Sequence, residues 1–96
     1  MKEYTTYVIR SKSCDMLYIG QTGNLEDRLL RHNQNRNTFT KNKGPWELIF
    51  SRSFPTRKEA VALELKLKRF KNKDFLLNWI ARQAGLEHPD FQSGGS

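Results

Sequence analysis

Five side chains remain when this sequence is searched for groups able to hydrolyse a phosphodiester: Tyr7, Tyr18, Arg28, His32 and Glu64. That bond is the one to consider because 17 Lys and Arg against 10 Asp and Glu leave a net charge of +7, which draws polyanions and makes nucleic acid the first partner to examine. Hydrolysis asks for a base for the attacking water, positive charge against the crowded phosphorane and stabilisation of the leaving oxygen. There is no histidine pair, no cluster of three or more carboxylates for two metals, no Gly-rich phosphate loop followed by Lys-Ser/Thr, and no nucleophile elbow. Taken alone, Glu64 reads first as a helix glutamate paired with Lys68 four residues on, and Arg28 as an exposed helix arginine. Both tyrosines suit half-buried strand positions equally well.

The elements that would carry these residues follow from local pattern. Residues 4–9 are rich in β-branched and aromatic side chains and run into a polar turn. Residues 16–19 resume the pattern, so a hairpin sets Tyr7 and Tyr18 near each other on paired strands. Asn24 can cap a helix, with Asp27 three residues on. Leu25 and Leu29, with Leu30 adjacent, form the expected buried stripe of that helix, which fades around residues 33–37. Arg28 and His32 are four apart on a neighbouring face, so one helical turn stacks them in one direction. Gly44-Pro45 closes a polar loop before a third strand that starts at Trp46 and continues to Phe54. Thr56 and Glu59 make a full capping box, and Ala60, Leu63, Leu67 and Phe70 follow at helical spacing. A third short helix starts at Asn72 or Asp74, with Phe75, Leu76, Trp79 and Ile80 as its apolar face.

Trp46, Trp79, Phe50, Phe54, Phe70 and Phe75 are expected in the core rather than stacked on unpaired bases. The order strand, strand, helix, strand, helix, helix predicts an α+β domain over residues 1–84, a three-stranded and mostly antiparallel sheet flanked by helices, with a loose polar tail over 85–96.

Charge is unevenly placed. From Arg52 to Lys73 there are eight basic residues against two acids, Glu59 and Glu64, and a second basic group holds Arg28, Arg31, Arg36, Lys41 and Lys43. Each group alone reads as a solvated face, whereas together they could flank one groove for a nucleic-acid backbone. The longest strictly apolar run, Ala60 to Leu63, falls far short of the roughly 18 residues of a membrane span. The N-terminus lacks the apolar centre of a signal peptide, so a cytoplasmic protein with no membrane partner is expected. A lone Cys14 forms no internal disulfide, and no clustered Cys/His set offers structural zinc. No heptad or broad apolar stripe sets an oligomeric state.

These residues resemble the GIY-YIG nuclease family. The resemblance rests on Tyr7 after Thr5-Thr6, on Tyr18-Ile19-Gly20, on Asn24-Leu25 followed by Arg28 and His32-Asn33, and on Glu64, and it runs from about Tyr4 to Ile80. Pro45-Trp46 and Thr56-x-x-Glu59-Ala60 ahead of Glu64 and Lys68 are similar to the small single-domain bacterial members, which are likened to the nuclease domain of the excision-repair C subunit. The first motif departs from the family in having Thr5-Thr6 where the name has Gly-Ile, and Gln21 stands where some members carry a lysine that could relay a proton.

The resemblance implies hydrolytic cleavage of DNA with a divalent metal, Mg²⁺ first and Mn²⁺ as the alternative, in repair or recombination. Glu64 is then the metal ligand, because magnesium is satisfied by one or two carboxylates when water and phosphate supply the rest. Arg28 is the phosphate clamp, its planar fork matching two phosphate oxygens. Tyr18 is assigned the activation of water and Tyr7 the lining of the site, each needing nearby positive charge to favour phenolate. His32 relays a proton or holds a phosphate, or is an ordinary histidine at the edge of the core. The alternative reading is a non-catalytic nucleic-acid-binding module on the same fold, and a third is a small protein whose basic face meets an acidic partner.

Overall fold

The structure, a computed structural model, describes residues 2–34 and 40–85. Among these residues three strands and three helices follow in the expected order: β1 Tyr4–Ser11, β2 Leu17–Thr22, α1 Leu25–Asn33, β3 Trp46–Phe54, α2 Arg57–Lys68 and α3 Lys73–Gly85. The sheet order is β2-β1-β3 with both pairings antiparallel, so the α+β architecture is as expected. Most of the tail expected beyond α3 lies outside the described residues. Among the described residues no helix is long and apolar enough to cross a membrane.

Caps set the helix starts. The Asn24 side chain accepts from the Asp27 N–H at 3.1 Å, and the Thr56 hydroxyl accepts from the Glu59 N–H at 3.3 Å and donates to the Glu59 carboxylate at 2.9 Å, so the Thr56 and Glu59 pair that the sequence offers as a capping box meets through the threonine hydroxyl. Asn72 accepts from the Phe75 N–H at 2.9 Å and so opens α3. β2 runs further than expected, through Gly20, Gln21 and Thr22, because these polar residues pair in register with Tyr7, Thr6 and Thr5 of β1.

Alternation along β1 divides the core between the two faces of the sheet. On one face Val8 joins Leu63 and Leu67 of α2 and Leu76 and Ile80 of α3. On the other, Tyr7 and Ile9 join Trp46, with Tyr18 and with Leu25 and Leu29 of α1 packed against them. The register of β1 against β3 shifts between Val8 and Ile9, so β3 carries an extra residue there, and the consecutive Ile49 and Phe50 both pack on the α2/α3 side.

Two core expectations need correction. Phe75 is 50% exposed: it stands at the start of α3, touching Phe70 at its outer side, while Leu76 and Ile80 take the inward positions. Leu30 is 53% exposed, and the fully buried residue of α1 is not a leucine but His32. The inward face of α1 therefore includes the polar side that spacing had set apart from the leucine stripe. Trp46 is buried, whereas Phe50, Phe54, Phe70 and Trp79 are only partly covered.

Candidate active site

Tyr7 sits at the middle of the central strand with no exposed surface. Its cross-strand partner is Gly20, and a Cβ built there would fall 2.7 Å from the Tyr7 hydroxyl and 2.9 Å from Cζ. The glycine that closes Tyr18-Ile19-Gly20 therefore leaves the space in which the phenol of the first motif lies flat across the neighbouring strand. Burial and the neighbouring Tyr18 push the Tyr7 phenol up to about 12, against a smaller pull downward from the Arg28 guanidinium beside it. At neutral pH this phenol keeps its proton.

That hydroxyl meets His32 Nε2 at 3.0 Å, and His32 Nδ1 meets the Thr40 hydroxyl at 2.7 Å. Both His32 and Thr40 are buried. Burial first, and then the charge of Arg28, hold the imidazole below its ordinary range, so it is neutral at pH 7. α1 is tied to β3 around this group: Asn33 accepts from the Trp46 N–H at 2.7 Å and donates to the Trp46 carbonyl at 3.3 Å, and the Trp46 indole donates to the Thr40 carbonyl at 3.3 Å.

Tyr18, two residues before Gly20, lies on the same face as Tyr7, its ring centroid 6.3 Å from that of Tyr7 and 4.9 Å from His32. It is half-buried and borders a groove of about 360 Å³ whose wall includes Trp46 and whose rim carries Lys43 and Lys68. Glu64 comes from α2, and its negative charge reaches Tyr7 and adds to the upward push on that phenol. One Glu64 oxygen accepts from Lys68 Nζ at 2.8 Å, and the carboxylate side chain is 17% exposed. This is the helix pair that spacing alone suggests. Among the described residues no group of three or more His, Cys, Asp and Glu stands together. The donor set is thus one partly covered carboxylate with a second oxygen not bound by that lysine, which fits a hard cation that keeps most of its waters and does not fit a dedicated protein cage.

The fold therefore brings Tyr7, Tyr18, Arg28 and His32 together around β1, and sets Glu64 close enough to act electrostatically on Tyr7. Gln21 is on the opposite face of the sheet, accepting from Arg57 at 3.4 Å. The Thr5-Thr6 departure also has a structural account: Thr6 points away from Tyr7 and donates to the Ala60 carbonyl of α2 at 2.6 Å, and Thr5 bonds Ser53 of β3 at 2.9 Å. Two participants escape sequence reasoning. Thr40 lies in a polar loop with nothing in its local pattern to mark it, and Asn33 reads only as a polar neighbour of His32. The one available signal is that Asn33 follows directly on the Arg28 and His32 spacing.

A small three-stranded α+β sheet bearing a tyrosine, histidine and arginine cluster defines the class of domain at hand. The family model described as the GIY-YIG catalytic domain matches residues 3–78, and the chain belongs to this nuclease family. The UPF0213 protein YazA of Bacillus subtilis is 37% identical over 68 residues, 70% of this chain and 68% of that protein. A UPF0213 protein of Bacillus pumilus is 32% identical over 94 residues, 92% of this chain and 96% of the relative. The solution NMR structure of a UPF0213 protein from Bacillus halodurans superposes with a TM-score of 0.50 at 20% identity, covering 94% of this chain and 90% of that one, a likeness of fold.

Proposed function

We propose that the protein is an endonuclease that hydrolyses DNA phosphodiester bonds with a divalent cation, Mg²⁺ first and Mn²⁺ as the alternative, in repair or recombination. The observation that carries the reading is the buried Tyr7–His32 hydrogen bond with the Arg28 guanidinium beside it. A core that needed only packing would not bury two titratable rings against the central strand with a guanidinium beside them.

Arg28 binds two oxygens of the scissile phosphate and opposes the charge that grows there in the transition state. Tyr18, the tyrosine that solvent can reach, orients the attacking water and takes part in its deprotonation. Tyr7, held by its hydrogen bond to the neutral His32, fixes the position of Arg28 behind Tyr18. Glu64 would hold the cation through its carboxylate, and the bound cation would supply Lewis-acid stabilisation of negative charge on phosphate. Lys43 and Lys68, at the rim of the groove beside Tyr18, suit backbone phosphates on either side of the cut.

The Glu64–Lys68 pair favours one competing reading, a nucleic-acid-binding module whose carboxylate is already satisfied by lysine. A nicking assay at low salt separates the two. The nuclease reading expects cleavage with Mg²⁺, none in chelator, and loss of cleavage with retained DNA binding in Glu64→Gln, which keeps shape but weakens coordination. Unchanged cleavage in Glu64→Gln or in chelator contradicts the assigned role. DNA binding with no cleavage in the parent protein favours the binding module.

A further inference from the structure

Tyr7, His32 and Thr40 form a continuous chain of side-chain hydrogen bonds, 3.0 Å and 2.7 Å long, whose members are 0%, 0% and 1% exposed. A neutral imidazole has one donor and one acceptor nitrogen, so the two bonds run in one of two directions. Either the phenol donates to Nε2 and Nδ1–H donates to Thr40, or Thr40 donates to Nδ1 and Nε2–H donates to the phenol oxygen. The environment of Tyr7 favours the first. Its proton is retained at neutral pH, no solvent reaches it, and the neighbouring Arg28 guanidinium accepts nothing. His32 Nε2 is the acceptor that geometry puts in place.

We propose that Thr40 is a positioning residue of the active site: its hydroxyl accepts from His32 Nδ1–H, holds the imidazole in that tautomer, and so keeps Nε2 open as acceptor for the Tyr7 proton. The lone pairs of the Tyr7 oxygen are then left for the Arg28 guanidinium, and the donors point one way, from Arg28 to Tyr7 to His32 to Thr40. The Thr40 carbonyl, held by the Trp46 indole at 3.3 Å, anchors the end of this chain to the start of β3. Loss of the Thr40 hydroxyl leaves a buried Nδ1–H without its acceptor and favours the other tautomer. His32 and Arg28 would then both direct N–H groups at one phenol oxygen, and the phenol proton would lose its acceptor. The groups facing this chain are Tyr18 from β2, Arg28 from α1 and Trp46 from β3, with Glu64 of α2 acting on Tyr7.

The role in cleavage rests on the nuclease reading above, while the tautomer itself does not. Ring ¹⁵N shifts of His32 in the full chain at pH 7.5 read the tautomer directly. The expected result is Nδ1–H in the parent protein and in Thr40→Ser, and a mixed or inverted tautomer in Thr40→Val. Single-turnover cleavage should fall roughly 10–100-fold in Thr40→Val with DNA affinity unchanged, and be restored in Thr40→Ser. An Nε2–H tautomer in the parent protein overturns the proposal whether or not Thr40→Val folds. So does a Thr40→Val protein that inverts the tautomer and cuts at the parental rate. A parent protein with the Nδ1–H tautomer that cuts no DNA upholds the hydrogen-bond assignment and overturns the nuclease reading instead.

Discussion

At the scale of single residues, the site depends on keeping an imidazole neutral beside a guanidinium. The folded-state value of His32 is depressed, chiefly by burial, so the neutral ring contributes its full stability above the unfolded value of about 6.5. Below that, the unfolded chain takes up a proton that the folded chain resists, and stability is lost as pH falls through the folded value. NMR titration should place His32 below 6.5, and the urea midpoint should drop between pH 7.5 and 5 by more in the parent than in His32→Gln. A His32 that titrates at or above the ordinary value contradicts its buried, arginine-facing placement. The Arg28 and His32 pairing was legible because a four-residue interval has one meaning on a helix. Which way that face points was not, since the leucines beside it compete for the same interior and only packing against β1 decides.

At the scale of elements, Gly20 shows how one strand makes room for a side chain on the next. Gly20→Ala puts a methyl within 2.7 Å of the Tyr7 hydroxyl, and the ring must leave its place or the strands must part. The expected outcome is destabilisation of about 1–3 kcal/mol, read as a lower urea midpoint, with weaker protection of the Tyr7 ring from solvent. A variant as stable as the parent with Tyr7 undisturbed would refute the account of that glycine. The capping box at Thr56, the helix cap at Asn24 and the β-branched run of β1 were readable because each is a local arrangement of backbone and neighbouring side chain. The bulge at Ile49, the outward position of Phe75 and the contact of Thr40 with His32 were not. Thr40 acquires meaning only when the chain closes α1 onto β3 and sets its hydroxyl against an imidazole eight residues away.

At the scale of the whole molecule, the proposed function makes a charge of +7 on 96 residues the means of meeting substrate and the polar cluster the means of cutting it. Binding to DNA should fall steeply and linearly on a log–log plot against salt, because Lys and Arg contacts to phosphate release counterions. A flat dependence measured over several salt concentrations would remove nucleic acid as the partner. The central claim is more specific than attraction, and one measurement reaches it: single-turnover cleavage of DNA at saturating enzyme by the parent, Arg28→Lys and Arg28→Ala proteins. Saturation removes differences in binding, which the other basic residues sustain. Lysine keeps the charge and loses the planar fork, so it should lose most of the rate, and alanine should lose about 100-fold or more. Cleavage by Arg28→Ala at the parental rate would make Arg28 one more phosphate contact and would contradict the site at its centre.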